Sequence, residues 1–502
     1  MTQEPSPLST LEPAVLWRCF DGIRRVPRPP RREGQIIEHI QRWSSDHGFT
    51  VRQDTFGNLV VVVPASPGCA ATPPVVLQAH LDMVCEKLPG HTHDFDHDPI
   101  DVEVDGDWVR ARGTTLGADN GIGVAAAMAV AIDPSVTHGP LELLFTLDEE
   151  TGLNGVAALD ASIVEGTCLL NLDSEEDGAI YIGCAGAGRV DLSLDLGRRD
   201  TARPGWQRLC LRVGGLLGGH SGVEIHENRG NAVKVAAQVL ALALERGIDF
   251  DLVGIQGGDK DNAIPRDCEV WLDVDPGQRQ DLDRAVEEGT QEARAELAGA
   301  DPGLEVTLSE VDRGASDVGA RPPLVTADRD RLLHLANAQP HGVHAMSLEV
   351  PGLVETSLNA AFVHTDADVA RLCFYIRSSS TAAIHRLGRS LESLGRLVGA
   401  DVVRGTTYTG WRPDPDSPLV RRALDVHRQL FDEGADLRAI HAGIECGILA
   451  GKIPGLDAIS IGPEIRGAHS PSERVKISST ARFYRYLAAL LEDLSVSDDT
   501  ES

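Results

Sequence analysis

The sequence has no uninterrupted apolar run close to the roughly 20 residues that a membrane-spanning helix needs. It is also poor in positive charge, because 46 Lys and Arg stand against 76 Asp and Glu, a formal net charge of −30. This balance argues against nucleic acid or an anionic membrane as a partner. The nine cysteines are an odd number without a Cys-x-x-Cys pair. We therefore expect reduced thiols rather than a disulfide framework.

The start of the chain, MTQEPSPLSTLEP, has neither a basic opening nor an apolar signal core, so we expect a cytoplasmic protein. At 502 residues the chain is longer than one hydrophobic core supports, which predicts two domains. One local exception to the acidic composition is a proline-broken basic cluster near the start. We interpret it as a solvated loop, and its members are Arg24, Arg25, Arg28, Arg31 and Arg32.

The first third of the chain has the pattern of an α/β domain. Short apolar segments predict strands, and residues 121–132 predict a buried helix. We therefore predict a mixed, mostly parallel sheet flanked by helices, with ligands gathering beyond the carboxyl ends of its strands. The predicted strands are residues 58–63, 74–79, 141–147 and 168–172.

The pattern changes near residue 188, where apolar and polar residues alternate as in half-buried antiparallel strands. Asn262 and Asn359 each lead through a strand-like segment into a helical one, which suggests a duplicated α+β unit. Near residue 404 the first pattern returns. We predict a split catalytic domain, residues 1–187 and 404–502, with an α+β lid domain inserted at residues 188–403.

Five short segments each place a metal-type side chain beside a strand end or a glycine turn. Three of them directly follow apolar runs. Together they offer two histidines and several carboxylates, which is the ligand set of a two-zinc hydrolase. The segments are residues 78–82, 117–120, 148–150, 171–174 and 467–470.

A two-metal site needs one ligand that bridges ions roughly 3.5–4 Å apart, and a carboxylate offers the two oxygens for this. Asp119 suits the role because it lies in a glycine-flanked turn before the predicted helix. His80 and Asp173 would complete one ion, and Glu150 and His469 the other.

Two further acids near these ligands suit other tasks. Asp82 follows His80 by two residues and would accept its second ring N–H, fixing the tautomer. Glu149 precedes Glu150 and would take a proton from metal-bound water as the general base. Each residue alone has an ordinary alternative, such as a solvated strand end for the two glutamates. The metal hypothesis is favoured because the alternatives would require five independent coincidences.

With these motifs, the chain resembles the co-catalytic zinc peptidases that include carboxypeptidase G, aminoacylase and tripeptidase T. Within that family it is most similar to a branch that hydrolyses unblocked dipeptides. The resemblance implies the same metal ligands, orienting acid and base, a lid, and a cis peptide between Asp119 and Asn120. It also implies two Zn²⁺ per subunit. Because the ligands are oxygen and nitrogen atoms, Mn²⁺ or Co²⁺ are alternatives. The matching stretches include VVLQAHLDMV, RARGTTLGADNGIG, NLDSEEDGAIYIGCAG, GGHSGVEIH, HAGIECG and SIGPEIRGAHSP.

The resemblance also points to residues that contact the substrate. The histidine that matches His220 helps to hold the scissile carbonyl as it becomes an oxyanion. In relatives with a small lid this histidine comes from the dimer partner. Two alternatives follow: His220 acts in the active site of its own chain, or the protein is a homodimer in which His220 acts in the active site of the partner subunit. Glu445 is a candidate for the substrate ammonium. Asn262 and Arg377 are candidates for its carboxylate, because the planar guanidinium matches that group.

The favoured function is metal-dependent hydrolysis of unblocked dipeptides, notably Xaa-His, with a small dipeptide as the expected substrate. An N-acyl amino acid deacylase and an exopeptidase for longer peptides are alternatives within the same family. A catalytically silent binding relative is an alternative from another class. No ligand and no base is missing from the sequence, which argues against the silent relative.

Overall fold

The structure is a computed structural model that describes residues 6–314 and 316–496. The chain divides into two compact units, each assembled from separate stretches of sequence. The first comprises residues up to 184 together with 411–439 and 444 onward, and the second comprises 185–410 and 440–443. The sequence-based division into 1–187, 188–403 and 404–502 stays a prediction. Residues 404–410 and 440–443 group with the second unit rather than the first.

The first unit contains a sheet of eight strands and a smaller sheet of four. Strands and helices are numbered along the whole chain. The strands of the large sheet are β1 (Thr50–Gln53), β2 (Leu59–Val63), β3 (Val75–His80), β6 (Leu141–Thr146), β7 (Cys168–Asn171), β8 (Ala179–Cys184), β20 (Asp436–Ile440) and β21 (Asp457–Ser460). The small sheet consists of β4 (Val102–Asp105), β5 (Trp108–Ala111), β22 (Ile465–Arg466) and β23 (Arg474–Lys476).

The large sheet has the order β1-β2-β6-β3-β7-β21-β8-β20. Its central neighbours β6, β3, β7 and β21 are parallel, whereas β1, β2 and β8 pair antiparallel. Strands β3 and β6 are buried along their whole length, which explains why the sequence shows them as continuous apolar runs. The prediction of a mixed, mostly parallel sheet is confirmed.

Helices cover this sheet. The helices of the first unit are α1 (Ala14–Ile23), α2 (Gly34–Asp46), α3 (Ala118–Ile132), α4 (Asn154–Ala158), α9 (Pro418–Phe431), α10 (Glu445–Lys452) and α11 (Ile477–Leu494). Helix α3 packs against β3 and α1, and α9 packs against β21 and α11. Almost all of α3 is buried, and its alanines and glycines allow close packing.

The second unit is built on an antiparallel sheet of nine strands, with a separate two-stranded pair. Burial alternates along its strand Gly186–Asp195, as expected for a strand with one face against a core. The large sheet contains β9 (Gly186–Asp195), β10 (Gln207–Gly214), β12 (Phe250–Gly257), β14 (Cys268–Val274), β15 (Glu305–Glu310), β16 (Gly342–Met346), β17 (Val354–Thr365), β18 (Val369–Ser378) and β19 (Asp401–Tyr408). The pair is β11 (Gly219–His220) with β13 (Ala263–Ile264).

Four helices pack against the nine-stranded sheet: α5 (Ala232–Glu245), α6 (Arg279–Leu297), α7 (Thr326–Ala338) and α8 (Thr381–Leu397). Both segments of the predicted repeat contain a strand followed by a helix, β14 with α6 and β18 with α8. They differ at their start, because Asn262 precedes β13 whereas Asn359 lies inside β17. Duplication of this unit stays a prediction.

All nine cysteines are free thiols. None of the helices in the described part of the chain is both long enough and apolar enough to span a bilayer.

Candidate metal centre

Three of the predicted ligand segments follow neighbouring parallel strands of the first unit. His80 ends β3, the segment 148–150 follows β6, and Asp173 follows β7 by two residues. The strands are adjacent in the order β6-β3-β7. Because the carboxyl ends of parallel strands meet at one edge of a sheet, the fold brings these side chains together.

Asp119 reaches the same edge from the first turn of α3, where the backbone is irregular. Asp119 itself has non-helical angles, φ −79° and ψ 108°, and its peptide bond to Asn120 is cis. The preceding Gly117 has φ 68°, in the left-handed region. A Cβ at that position would lie 2.5 Å from Arg28 Nη2 and 2.6 Å from Met83 Sδ, so the turn admits only glycine.

The two carboxylate oxygens of Asp119 contact two different histidines. Oδ1 lies 3.0 Å from His80 Nε2, and Oδ2 lies 3.0 Å from His469 Nε2. Asp173 Oδ1 lies 3.4 Å from His80 Nε2, and Glu150 Oε2 lies 3.1 Å from His469 Nε2. The potential ligands therefore form two groups, each with one imidazole and two carboxylates, and Asp119 belongs to both.

These residues fit two divalent cations. In each group the potential ligand atoms lie within 4.8 Å of one another. Imidazole and carboxylate are ligands that Zn²⁺ accepts, and Asp119 supplies the shared carboxylate that a two-metal site needs. Hydrogen bonds to Asp119 and Glu150 raise the pKa of His469 to about 11.

Asp82 is fully buried, and its carboxylate binds backbone rather than solvent. Oδ1 and Oδ2 accept the N–H groups of Glu149 and Glu150, each at 3.1 Å. His80 Nδ1 lies 3.2 Å from the main-chain oxygen of Asp82 and 3.5 Å from its carboxylate. Although burial opposes it, hydrogen bonds from His80 and from these two N–H groups hold the pKa of Asp82 below its usual value.

Glu149 lies beside both groups, with a carboxylate oxygen within 4.8 Å of ligand atoms of His80 and Glu150. Burial raises the pKa of its carboxyl well above the usual value; His80 opposes this, and the charges of Asp173, Glu445 and Glu150 add to it. Glu149 therefore lies where the sequence-based prediction needs a general base.

Two buried charged residues that the sequence analysis did not assign to the site also contact the ligand loops. Glu473 accepts backbone N–H groups from the turn that carries Asp119. Arg28 donates to the carbonyls of Leu81 and Asp82. The interpretation of Arg28 as part of a solvated loop is wrong, because this side chain is only 2% exposed. In the sequence, the only hint of Glu473 that we note is its spacing, four residues after His469.

His220 and Arg377 lie in the second unit and contact each other, with Arg377 Nη2 3.3 Å from His220 Nε2. His220 Nδ1 accepts the backbone N–H groups of Gly222 and Val223 at 3.2 and 3.0 Å. Burial, with the charge of Arg377, lowers the pKa of His220 to about 4, so its imidazole is neutral.

Arg377 is buried, its guanidinium lies 5.0 Å from the centre of the Tyr375 ring, and its Nε has no hydrogen-bond partner among the described residues. Asn262 is exposed, and its main-chain oxygen accepts the N–H of Ser221, the neighbour of His220, at 2.8 Å. The predicted substrate residues of the second unit thus lie near one another, although only main-chain atoms link Asn262 to the others.

Glu445 begins α10 in the first unit and is fully buried. Its Oε2 accepts hydrogen bonds from Gln78 Nε2 and, at 2.8 Å, from Thr146 Oγ1. Within the described residues Oε1 has no hydrogen-bond partner. Burial raises the pKa of Glu445 to about 7. Its assignment to the substrate ammonium stays a prediction, and direct contact would require neighbouring groups to move.

Comparison with known proteins identifies the family. The model of peptidase family M20/M25/M40 matches residues 76–493, and the chain therefore belongs to this family of metal-dependent peptidases. The family resemblance inferred from the motifs is confirmed.

Individual relatives match along nearly the whole chain. The chain is 41% identical over 490 residues to the cytosol non-specific dipeptidase of Escherichia coli (strain K12), covering 97% of this chain and 99% of the relative. Its structure is similar to that of aminoacylhistidine dipeptidase from Vibrio alginolyticus, with a TM-score of 0.90 and 38% identity over 98% of this chain and 99% of that one. Aminopeptidase PepT from Bacillus cereus shares the fold, with a TM-score of 0.56 and 15% identity over 97% and 100% of the two chains.

Proposed function

We propose that this protein is a cytoplasmic, metal-dependent dipeptidase that hydrolyses unblocked dipeptides, Xaa-His among them. The observation that carries the proposal is the position of Asp119, whose two oxygens contact His80 and His469 at 3.0 Å each. The names of the relatives support the substrate class and the compartment, because one is a cytosol dipeptidase and the other an aminoacylhistidine dipeptidase.

The proposed cofactors are two Zn²⁺ ions, with Mn²⁺ or Co²⁺ as alternatives. His80, Asp119 and Asp173 would hold one ion, and Asp119, Glu150 and His469 the other. When bound, such ions polarise a carbonyl and lower the pKa of water to about 7.

Glu149 would move the proton. Its carboxylate lies beside both ligand groups yet is not needed to complete either of them. From this position it would accept a proton from the attacking water and deliver it to the leaving amine, which makes one residue base and then acid. Asp82 would support this role, because it fixes the backbone N–H of Glu149 at 3.1 Å.

His220 would act as a hydrogen-bond donor to the substrate carbonyl. With Nδ1 accepting two backbone N–H groups, the neutral ring would donate from Nε2. For this the guanidinium of Arg377, itself a donor 3.3 Å from Nε2, would turn away toward the substrate carboxylate. A neutral donor of this kind can stabilise an oxyanion as it forms. Arg377, whose Nε has no hydrogen-bond partner within the described part of the chain, and Asn262 would bind the substrate carboxylate. In this proposal the second unit is the lid of the enzyme, and a homodimer is compatible with it.

The experiment compares alanyl-histidine, N-acetyl-alanyl-histidine and alanyl-alanyl-histidine as substrates of the zinc-loaded protein. We expect rapid cleavage of the free dipeptide alone, loss of activity on chelation, and recovery when zinc is restored. Cleavage of the acetylated substrate in preference to the free one would identify a deacylase. Preference for the tripeptide would identify an exopeptidase for longer chains. If none of the three substrates were cleaved, the proposal would be wrong.

A further inference from the structure

The turn that carries Asp119 is held by a single buried carboxylate. Oε2 of Glu473 accepts the N–H groups of Leu116 and Gly117 at 2.7 and 2.9 Å, and Oε1 accepts those of Ala118 and Asp119 at 2.7 and 3.2 Å. Four consecutive backbone donors therefore converge on one side chain. Glu473 follows His469 by four residues, so this carboxylate connects the loop of one metal-ligand candidate to the turn of another.

Arg28 performs the complementary task from the other end of the chain. Its Nη1 donates to the main-chain oxygens of Leu81 and Asp82 at 2.9 and 2.8 Å, and its Nη2 donates to the main-chain oxygen of Gly117. The guanidinium therefore connects the loop after His80 to the turn before Asp119. It is 2% exposed.

Together the two side chains join three loops that are far apart in sequence: the loop after His80, the turn at 116–119 and the loop from His469 to Glu473. Gly117 is contacted by both, since its N–H binds Glu473 and its carbonyl binds Arg28. Buried charges of opposite sign thus bind the same peptide turn, which helps to accommodate each of them away from water, although Arg28 Nε has no hydrogen-bond partner among the described residues.

We propose that Arg28 and Glu473 are positioning residues that fix the spacing of His80, Asp119 and His469 and thereby set the affinity for the two metal ions. The inference rests on the proposed function of these ligands. Neither residue would touch metal or substrate. Groups that orient metal ligands typically change metal affinity or activity about 10- to 100-fold when they are replaced.

A purely structural role predicts a different result, and a matched control separates the two. Glu142 is also a buried carboxylate of the first unit that binds backbone, since it accepts the N–H groups of Glu165 and Gly166 at 2.9 and 2.8 Å. It lies near the start of β6, whereas the ligand segment follows the end of that strand. We therefore expect Glu142→Gln to weaken the fold without disturbing a ligand loop.

The experiment measures the zinc dissociation constants of both sites by competition with a chromophoric chelator, beside kcat and KM for alanyl-histidine at saturating zinc. In Glu473→Gln the amide NH₂ faces two backbone N–H groups, so we expect zinc affinity to fall about 10- to 100-fold. We expect kcat to fall with little change in KM. Glu142→Gln should lower the unfolding temperature of the zinc-free protein yet keep the zinc affinity of the wild type.

Arg28→Lys provides a second, milder variant, because lysine keeps the charge but not the fork that reaches both loops. It should show a smaller loss of zinc affinity than Glu473→Gln and should remain folded. Wild-type zinc affinity in both variants, or an equal loss in Glu142→Gln, would overturn the inference. A wild-type protein that binds two zinc ions without cleaving dipeptides would instead overturn the proposed function, so the two failures are distinguishable.

Discussion

The carboxylate of Asp82 accepts the backbone N–H of Glu149 at 3.1 Å. This bond joins the loop after β3 to the loop after β6, so the residue beside His80 also sets where the proposed base is held. Asp82 makes a second bond of the same length to the N–H of Glu150. A residue predicted to orient one histidine therefore also orients two glutamates.

Replacing Asp82 by Asn should lower kcat for alanyl-histidine about 10- to 100-fold. The reason is that the amide NH₂ would face a backbone N–H group, which displaces the loop of Glu149 and Glu150. Steady-state kinetics beside zinc quantification test this. The matched control is Asp54→Asn, because Asp54 Oδ1 also accepts backbone N–H groups, from Phe56, Gly57 and Asn58. A loss of kcat in the control as large as that in Asp82→Asn would contradict the prediction.

Replacing Glu149 by Gln should lower kcat about 10²- to 10⁴-fold, the range expected for loss of a general base. Zinc content should stay at two ions per chain, because the two ligand groups are complete without this side chain. Atomic absorption on the dialysed variant measures this. Glu150→Gln is the comparison and should lose zinc. If Glu149→Gln loses zinc as well, Glu149 is a ligand rather than the base.

Replacing Arg377 by Ala should raise KM for alanyl-histidine at least tenfold, since the substrate carboxylate would lose a charged, bidentate partner worth about 1.5–3 kcal/mol. The informative measurement pairs each enzyme with alanyl-histidine and with its C-terminal amide. The wild type should discriminate against the amide, and the variant should not. Equal discrimination in both proteins would show that Arg377 does not read the carboxylate.

The buried side chain of His441, in the second unit, should make the stability of the protein depend on pH. Burial, with the charges of Arg377, His220 and His226, lowers its pKa to about 3, and its Nε2 lies 2.8 Å from Ser357 Oγ. Below about pH 6.5 the unfolded chain protonates this histidine while the folded chain does not, so stability falls as the pH decreases. The slope should be at most about 1.4 kcal/mol per pH unit for this residue.

Calorimetry between pH 7 and pH 5 tests this expectation. The thermal midpoint of the wild type should decrease as the pH is lowered from 7 to 5, and this decrease should be smaller in His441→Gln. His97→Gln is the control, because the side chain of His97 is 78% exposed. An identical pH profile for His441→Gln and the wild type would show that His441 is not the group responsible.

Local sequence patterns were enough to predict much of the first unit. Continuous apolar runs marked β3 and β6 because both strands are buried on two sides. The ligand-type residues are recognisable because they stand directly after those apolar runs, where the strands end. The sequence is misleading at Arg28 because its neighbours are polar and proline-rich, whereas its partners, the carbonyls of Leu81, Asp82 and Gly117, lie more than 50 residues away.

The sequence by itself determined which residue types stand at the strand ends and the family, whereas the different roles of Glu149 and Glu150 stay a prediction. Only the tertiary structure decided that Asp119 presents one oxygen to His80 and the other to His469, across 350 residues of chain. It also decided that Arg28 and Glu473 hold the loops around them. The physical reason is that strand and turn signals are encoded by adjacent residues, whereas distances between loops arise only when distant segments pack together.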